Sequence, residues 1–247
     1  MLLNKPLGQK AYGHIPHLPG SRIGPGDHHC HEGQNRIATE KVRDKHDIVI
    51  VQEKLDGSCC AVAKINGKIL ALGRSGYLAQ SSKFEQHQLF AAWVRDNWGR
   101  FDYLLNEGER AVGEWLAQAH GTRYTISADP WGDPFVVFDI MLGHERKSVG
   151  EVTRRADEAN FLPVPRIIHV GDAFSVEAML EKLEPSGHGA IDPVEGAVWR
   201  IERKGKVDFL CKWVRPDKID GCYLPEVSSQ PAVWNWHPDK CREKISA

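Results

Sequence analysis

Apolar residues fall in short runs and alternating segments along much of the chain, which predicts strands joined by turns. Two pairs of these segments are joined by Asn66-Gly67 and Lys204-Gly205, which are turn sequences of antiparallel hairpins. The predicted strands are 48–53, 59–65, 68–73, 110–117, 134–142, 194–203 and 206–215. Antiparallel hairpins interrupted by helices indicate an α+β fold.

Apolar residues also recur at helical spacing in three places. Helices are predicted at 81–99, 149–159 and 175–184, and Ser148 and Glu151 form a capping box that begins the second. Residues 1–47 are rich in Gly, Pro and His and lack sustained periodicity. We therefore expect them to form an irregular N-terminal arm, packed on a domain of residues 48–220 that is followed by a short C-terminal extension, 221–247.

Composition is that of an ordinary soluble globular protein, with 41% hydrophobic and 26% charged residues among 247. No apolar run approaches the roughly 20 residues of a membrane span, and the N-terminus is too broken by Pro and Gly for a secretion signal. The six cysteines show no C-x-x-C pair. Reduced thiols and a cytoplasmic location are therefore expected, with no membrane partner.

Charge is nearly balanced over the whole chain, at −1, but residues 196–218 carry seven lysines and arginines against three acidic residues, a local net charge of +4. This segment is either a footprint for phosphates or a solvated hairpin of mixed charges, and the sequence leaves both open. Neither a G-x-G-x-x-G nor a Walker pattern is present. A nucleotide, if one binds, would therefore be held from strand faces.

Several predicted strands each carry one charged or aromatic residue among apolar ones. The segment Lys54-Leu55-Asp56-Gly57-Ser58 ends the first strand, where a glycine allows the backbone to turn and approach a ligand. Strand alternation puts Phe138 and Ile140 on one face and Asp139 on the other. The remaining members of the set are Arg74, Glu114, Glu195 followed by Gly196, and Lys212. Each alone is explained by turn chemistry, edge charge or core packing, but together they indicate one cleft.

The set resembles the covalent nucleotidyltransferases, which comprise DNA ligases, RNA ligases and mRNA-capping guanylyltransferases. Lys54-Leu55-Asp56-Gly57 is similar to motif I of that superfamily, Glu114 to motif III, Phe138-Asp139-Ile140 to motif IIIa, Glu195-Gly196 to motif IV and Lys212 to the motif V lysine. The resemblance covers about 48–215 and is closest to ATP-dependent RNA ligases of the phage double-strand-sealing type and their bacterial relatives. It implies a ligase-type (ATP-grasp-like) nucleotidyltransferase domain.

Two features depart from the family pattern. Leu210 stands where motif V of these ligases usually has a first lysine, and only 32 residues follow Arg215. The second feature leads us to expect no C-terminal OB-fold of the kind that DNA ligases and capping enzymes carry.

The resemblance implies an ATP-dependent RNA ligase that seals 5′-phosphate and 3′-hydroxyl ends through lysyl–AMP and adenylated-end intermediates. The alternatives are a DNA nick ligase or guanylyltransferase of the same fold, or a nucleotide- or RNA-binding module without turnover. RNA ends or nicks are the expected partners, with a separate end-healing enzyme as a possible second one. The expected cofactors are ATP and Mg²⁺ or Mn²⁺.

The resemblance also assigns roles to residues. Lys54 is the nucleophile and Lys212 a second catalytic cation, while Glu195 and Glu114 are the implied metal ligands. The expected nucleotide-binding residues are Gln52, Glu53, Asp56, Gly57, Arg74, Glu114, Phe138 and Glu195. Because a free lysine titrates near pH ~10.4, we expect neighbouring cationic charge, a metal ion or desolvation to lower the pKa of Lys54.

The segment Asp27-His28-His29-Cys30-His31 belongs to none of these motifs. Its Asp-His-His-Cys sequence occurs in membrane palmitoyltransferases, but the membrane spans of those enzymes are absent from this sequence. A Zn²⁺ site that includes His14 and His17 is one hypothesis, although consecutive residues rarely share one tetrahedral ion. The other is that the arm, with Arg22 and Arg36, lies over the nucleotide cleft.

Overall fold

The computed structural model of the protein describes residues 5–126 and 133–238. The strands are β1 Asp47–Lys54, β2 Ser58–Ile65, β3 Lys68–Gly73, β4 Glu109–Trp115, β5 Phe135–Leu142, β6 Glu145–Arg146, β7 Ile167–Gly171, β8 Gly196–Arg203 and β9 Lys206–Val214. The helices are α1 Glu32–Thr39, α2 Glu85–Asp96, α3 Trp98–Leu104, α4 Val149–Glu158, α5 Val176–Leu183 and α6 Pro225–Ser228.

The strands form two antiparallel sheets. The first sheet has the order β7-β1-β8-β9, and the second has the order β3-β2-β4-β5-β6. The two predicted hairpins, β2–β3 and β8–β9, lie in different sheets, and Asn66-Gly67 and Lys204-Gly205 turn them with positive φ at all four residues. The α+β expectation, antiparallel sheets with helices inserted between strands, is confirmed.

Each sheet buries one face against helices. On the second sheet, an aromatic cluster that includes Phe90, Trp93 and Trp115 fills the space beneath α2, α3 and α4. On the first sheet, Trp199 packs in a separate core with α1 and α5, and its indole N–H donates to the Phe174 carbonyl at 2.8 Å. The other faces of the two sheets lie towards each other, and a cavity lies between them.

Three predictions about elements were incomplete. The predicted helix 81–99 is two helices, because the Asn97 side-chain amide donates to the Trp93 carbonyl at 2.9 Å and ends α2 there. Strand β7 was not predicted, since this five-residue edge strand is largely exposed and has no buried apolar stripe. Helix α1 interrupts the arm that was predicted to be irregular; its N-cap is His31, outside the usual capping residues, and only Ala38 is buried.

The N-terminal arm is fastened to both sheets. Tyr12 is buried against the second sheet, where its hydroxyl donates to Asp139 at 2.9 Å. The Leu18 N–H donates to the Lys212 carbonyl of β9 at 2.8 Å, and the Lys212 N–H donates to the Pro16 carbonyl at 2.9 Å. Residues 10–15 therefore pass along the opening between the sheets.

Within residues 5–126 and 133–238, no helix has the length and apolarity needed to cross a membrane.

Candidate active site

The cavity between the sheets has a volume of about 1030 Å³. Its lining includes all ten residues that the sequence singled out: Gln52, Glu53, Lys54, Asp56, Gly57, Arg74, Glu114, Phe138, Glu195 and Lys212. These residues come from both sheets and from the turns after β1 and β3, so the fold brings together positions as far apart as 52 and 212.

Lys54 is the last residue of β1 and projects into this cavity. Its Nζ lies 2.6 Å from Glu195 Oε2, and both side chains are largely buried, at 22% and 8% exposed. The two residues are brought together because Lys54 pairs with Gly196 across the β1–β8 ladder. A Cβ at Gly196 would lie 2.0 Å from the Trp213 carbonyl oxygen, so only glycine permits this approach of β8 to β9.

The charge state of Lys54 differs from the expectation. Burial on its own would lower the pKa of Lys54, but the carboxylates of Glu195 and Glu114 outweigh it, and the net pKa is raised. In the ligand-free site Lys54 is therefore protonated, and its ammonium group is held by Glu195. The expectation of a lowered pKa was wrong for this state, because the sequence could not show that the charges of Glu195 and Glu114 act on Lys54.

Glu114 lies beside the same pair. Its Oε1 accepts the Gly57 N–H at 3.1 Å, which ties the turn after β1 to strand β4. Burial raises the pKa of Glu114 to about 7, opposed by Lys54 and assisted by the neighbouring carboxylate of Glu195. Burial also raises the pKa of Glu195. Two carboxylates are thus held together in a site that disfavours their negative charge.

The carboxylate of Asp56 is held by partners other than Lys54. Its Oδ2 accepts the Gly121 N–H at 2.8 Å and lies 2.6 Å from Lys218 Nζ, while its own N–H donates to the Tyr124 hydroxyl at 2.9 Å. Lys218 is itself buried and also donates to the Thr122 hydroxyl. Asp56 thereby fixes the turn that carries Lys54 and connects it to the segment after β9.

Glu53 also differs from the expectation, because its side chain leaves the face that Gln52 and Lys54 share. Its carboxylate accepts from the Gly187 N–H at 2.8 Å and from Arg166 Nε at 3.1 Å, and the Ser186 hydroxyl donates to it as well. This carboxylate is fully engaged by protein donors, so the nucleotide role expected for it is left to the Glu53 backbone alone.

Strand β5 contains a bulge where strict alternation was predicted. Val112 pairs with Asp139 and Gly113 pairs with Val137, which leaves Phe138 as the extra residue. Phe138 then packs edge-on against Tyr12, with ring centroids 5.2 Å apart, on the cavity side, while Ile140 lies in the core under the helices. The prediction that Phe138 and Ile140 share a face was therefore wrong, because the bulge resets the period.

Asp139 is fully buried next to the cavity-lining Phe138 and joins the two sheets. It accepts from Arg200 Nη2 of β8 at 2.7 Å, from Arg146 Nε at 2.9 Å and from the Tyr12 hydroxyl. Arg200 also donates to the Phe138 carbonyl at 3.1 Å, which fixes the strand beside the cavity.

The cationic side of the cavity contains Arg74 and Lys212. Arg74 is exposed and donates to the Gly13 carbonyl of the arm at 3.0 Å. Lys212 and Leu210 face the cavity together, so an apolar side chain stands where the family pattern has a first lysine. Burial and the nearby charge of Lys54 lower the pKa of Lys212.

The basic segment 196–218 is not a continuous phosphate footprint. Carboxylates from other parts of the chain pair with four of its seven basic residues, which a local count cannot reveal, and Asp217 within the segment pairs with a fifth. The ion pairs are Arg200–Asp139, Arg203–Asp44, Arg203–Asp47, Lys212–Asp27, Arg215–Asp217 and Lys218–Asp56.

A divalent cation fits two of the predicted ligands. Glu195 and Glu114 offer oxygen donors in a buried place, where burial raises the pKa of both carboxyl groups. Mg²⁺ commonly takes one or two carboxylates and completes its coordination with substrate phosphates and water. The zinc hypothesis finds no support, since residues 5–126 and 133–238 contain no group of three His, Cys, Asp or Glu side chains arranged to hold a metal.

Sequence reasoning missed four residues of this site: Tyr12, Asp27, Arg200 and Lys218. Arg200 and Lys218 were visible only as charges in the basic segment, and Asp27 only as part of a histidine-rich one. Tyr12 gave no signal, because its partner Asp139 is 127 residues away.

A family model described as RNA ligase matches residues 47–214. A comparison with curated proteins gave no match.

Among solved structures, the chain is similar to the Naegleria gruberi RNA ligase with PPi, at 20% identity and a TM-score of 0.53, over 87% of this chain and 62% of that one. It is also similar to a lysine-to-alanine variant of that ligase with ATP and Mn, at 16% identity and a TM-score of 0.50, over 87% and 61%. A second such variant matches at 19% identity and a TM-score of 0.49, over 69% of this chain and 50% of that one. This chain therefore spans about half to three fifths of the length of these three structures, and the likeness to the first two shows the fold.

Proposed function

The chain belongs to the RNA ligase family, and we propose that it joins RNA ends using ATP, through an intermediate in which AMP is attached to Lys54. The observation that carries this proposal is the buried pair of Lys54 and Glu195, 2.6 Å apart, in a cavity between two sheets. A lysine at a strand end beside carboxylates fits covalent transfer of a nucleotide better than simple nucleotide binding.

In the proposed first step, the lone pair of Lys54 Nζ attacks the α-phosphorus of ATP. The bond from that phosphorus to the bridging oxygen breaks, and pyrophosphate leaves with the electron pair. The new phosphoramidate then loses a proton from nitrogen. Lys212 would oppose the negative charge that develops on the α-phosphate, which is the largest contribution such a site can make.

Lys54 must lose a proton before it can attack, and Glu195 is its hydrogen-bonded carboxylate. Bringing positive charge to Glu195 and Glu114 removes the field that raises the pKa of Lys54. A divalent cation held by these two carboxylates would supply that charge and would screen the phosphates. Support for ATP and a metal also comes from the similar Naegleria gruberi ligase variant, which was solved with ATP and Mn.

The remaining residues are proposed to hold the nucleotide. Phe138 would stack on the adenine, Gln52 would contact it from β1, and Glu114 would accept from a ribose hydroxyl when it is not bound to metal. Arg74 would contact the ribose or the incoming phosphate. Asp56 and Gly57 would act through the backbone turn that they fix, as their hydrogen bonds indicate.

In the later steps, a 5′-phosphate oxygen of RNA attacks the α-phosphorus, the N–P bond breaks and Lys54 recovers a proton. A 3′-hydroxyl then attacks the activated 5′-phosphate, forms the phosphodiester and releases AMP. RNA is the proposed substrate because the family match and the similar structures are RNA ligases. Ends with this chemistry would come from breakage or from a separate end-healing enzyme.

The proposal is tested by incubating the protein with labelled ATP, GTP or NAD and Mg²⁺, followed by denaturing electrophoresis. Label from ATP is expected on the wild type and on Lys68→Ala, which changes an exposed lysine of the neighbouring hairpin, and no label is expected on Lys54→Ala. Label on Lys54→Ala at the wild-type level would refute the proposal. Label from GTP alone would favour a guanylyltransferase. The absence of label from every nucleotide would favour a binding module without turnover.

Substrate choice is then tested with pre-adenylated nicks that differ only in the sugars flanking the break, which bypasses the first step. We expect faster sealing when ribose provides the 3′-end, since the 2′-hydroxyl is the group that distinguishes RNA from DNA there. Equal or faster sealing of the all-deoxy nick would instead favour a DNA ligase.

The setting that we propose for this activity is the cytosol. The cysteines within the described part of the chain, Cys30, Cys59, Cys60, Cys211 and Cys222, are all free thiols. This agrees with a reducing compartment.

A further inference from the structure

The histidine-rich segment of the arm lies against the strand that carries Lys212. The His17 N–H donates to the His28 carbonyl and the Cys30 N–H donates to the His17 carbonyl, both at 2.8 Å. The residues on either side of His17 hydrogen-bond to the backbone of Lys212. Three backbone segments are thus joined side by side, with Lys212 in the one that borders the cavity.

A network of hydrogen-bonded side chains connects these three backbone segments. His17 is almost completely buried; its Nδ1 lies 2.7 Å from the Ser21 hydroxyl, and its Nε2 lies 3.0 Å from Asp27 Oδ2. The Val214 N–H of β9 donates to the same Ser21 hydroxyl at 2.9 Å. Asp27 is therefore held in place by a histidine that is itself fixed to the first sheet.

The Asp27 carboxylate, at the end of this hydrogen-bond network, faces Lys212. Asp27 Oδ2 lies 3.6 Å from Lys212 Nζ, near enough for an ion pair but beyond the length of a strong hydrogen bond. Both side chains are mostly buried, at 16% exposed for Lys212 and 19% for Asp27. The attraction therefore directs the ammonium group without saturating its donors, which stay available to a phosphate.

Lys212 has a particular need for such a partner. A lysine side chain is long and flexible, and its neighbour on the same face is the apolar Leu210, which offers no polar contact. Burial and the like charge of Lys54, which lines the same cavity, both disfavour the charged form of Lys212 and lower its pKa. Asp27 offsets part of this cost, because its carboxylate forms an ion pair with Lys212.

We propose that Asp27, held by His17, is a positioning residue that orients Lys212 towards the α-phosphate. This inference rests on the proposed function, and it gives the histidine-rich segment a role in the first chemical step rather than in metal binding. Asp27 does not touch the nucleotide. Its effect passes entirely through Lys212.

The competing explanation is that Asp27 only fastens the arm. A fastening role would change the stability of the fold and the affinity for ATP, since the arm borders the cavity. A positioning role changes the rate of nucleotide transfer at saturating ATP, and it vanishes when Lys212 is absent. These two signatures can be measured separately.

The test uses the full chain in four forms, wild type, Asp27→Asn, Lys212→Ala and the double variant, with His28→Ala as a control at an exposed neighbouring position. Single-turnover attachment of AMP to Lys54 is measured over a range of ATP concentrations. We expect Asp27→Asn to lower the maximal rate by about tenfold to a hundredfold, the loss caused by small displacements of a catalytic group, with the ATP dependence changed less. His28→Ala should match the wild type.

In the double variant, Asp27→Asn should cause no further loss beyond that of Lys212→Ala, because residues acting as a unit are not additive. Fully additive losses, an unchanged maximal rate in Asp27→Asn, or a loss confined to ATP affinity would overturn the positioning role while leaving the ligase proposal intact. Absence of label from the wild type would overturn both.

Discussion

Lys54 is paired with Glu195 and lies in the field of Glu114 before any substrate arrives, which is the reverse of what the proposed nucleophile needs. The ion pair with Glu195 keeps the side chain extended into the cavity, and the raised pKa keeps it charged. Activation therefore depends on what reaches Glu195 and Glu114. The two carboxylates thus keep Lys54 protonated in the free protein, and neutralising their charge lets Lys54 lose its proton.

At this scale the first prediction concerns Glu195. Glu195→Gln keeps the shape but removes the charge, so metal binding and phosphate stabilisation are lost together. The rate of AMP attachment should fall by about two to three orders of magnitude, as when a main electrostatic contributor is removed. The measurement is single-turnover labelling across a Mg²⁺ titration.

The matched control is Glu202→Gln on the same strand, β8. Glu202 is buried and accepts the Val149 N–H at 2.7 Å, away from the cavity lining. It should label at close to the wild-type rate. Near-normal labelling by Glu195→Gln at every Mg²⁺ concentration would contradict the metal assignment.

The sequence predicted which residues line the cavity where a charged side chain stands alone in an apolar strand, as Glu114 and Lys212 do. The direction in which a side chain points was harder to predict. Glu53 was expected to face the nucleotide, yet it is one residue out of phase with Lys54 and binds Arg166 instead. Ion pairs between distant segments, such as Lys218 with Asp56, carry no local signal at all.

At the scale of elements, the turn between β1 and β2 decides the geometry of the site. Gly57 lies so near strand β4 that a Cβ there would be 2.5 Å from the Trp115 carbonyl oxygen. The same residue donates its N–H to Glu114. A side chain at this position must therefore push the turn, and Lys54 with it, away from β4.

Gly57→Ala is accordingly expected to impair AMP attachment by about tenfold or more and to destabilise the fold by about 1–3 kcal/mol, the cost of overpacking. Gly73→Ala is the control, because a Cβ there has no heavy atom within 4 Å. Labelling rates and urea unfolding of the two variants provide the comparison. Equal behaviour of both would show that the turn has room to move.

Strands and hairpins were predictable because period-two alternation and turn glycines act locally. The bulge at Phe138 was not, since it depends on how β4 and β5 align rather than on either sequence. The edge strand β7 and the helix α1 were not predicted, for a related reason. Each is short and buries little, so tertiary contacts rather than pattern stabilise it.

At the scale of the whole molecule, buried ion pairs fasten separate layers. Glu109 at the start of β4 is one of them: Arg155 of α4 donates to it at 2.6 Å and Lys147 lies 3.3 Å away. Burial alone would raise the pKa of Glu109, but the hydrogen bonds from Arg155 and from the Asn106 N–H lower it to about 2.

Because the pKa is depressed in the folded state, this carboxylate stabilises the protein above the pKa of its unfolded form, near 4.5. That stabilisation is lost as the pH falls from about 4.5 towards 2. We expect on the order of 2 kcal/mol from this residue, allowing for solvent screening.

The measurement is the free energy of unfolding in urea at several pH values between 7 and 3. Glu109→Gln should be less stable than the wild type at pH 7, and the gap should narrow as the pH falls. Glu158→Gln, in an exposed pair with Arg154, should follow the wild type throughout. A gap between Glu109→Gln and the wild type that stays constant with pH would rule out this linkage.

The fully buried contact of Arg200 with Asp139 joins the two sheets beneath the cavity. Two sheets joined in this way are held at a fixed separation there, so the shape of the binding site is set during folding. A ligand then loses less of its binding free energy to ordering the protein, since backbone and side chains are already fixed. The entropy of association thereby depends on a contact between protein side chains that is made before any ligand arrives.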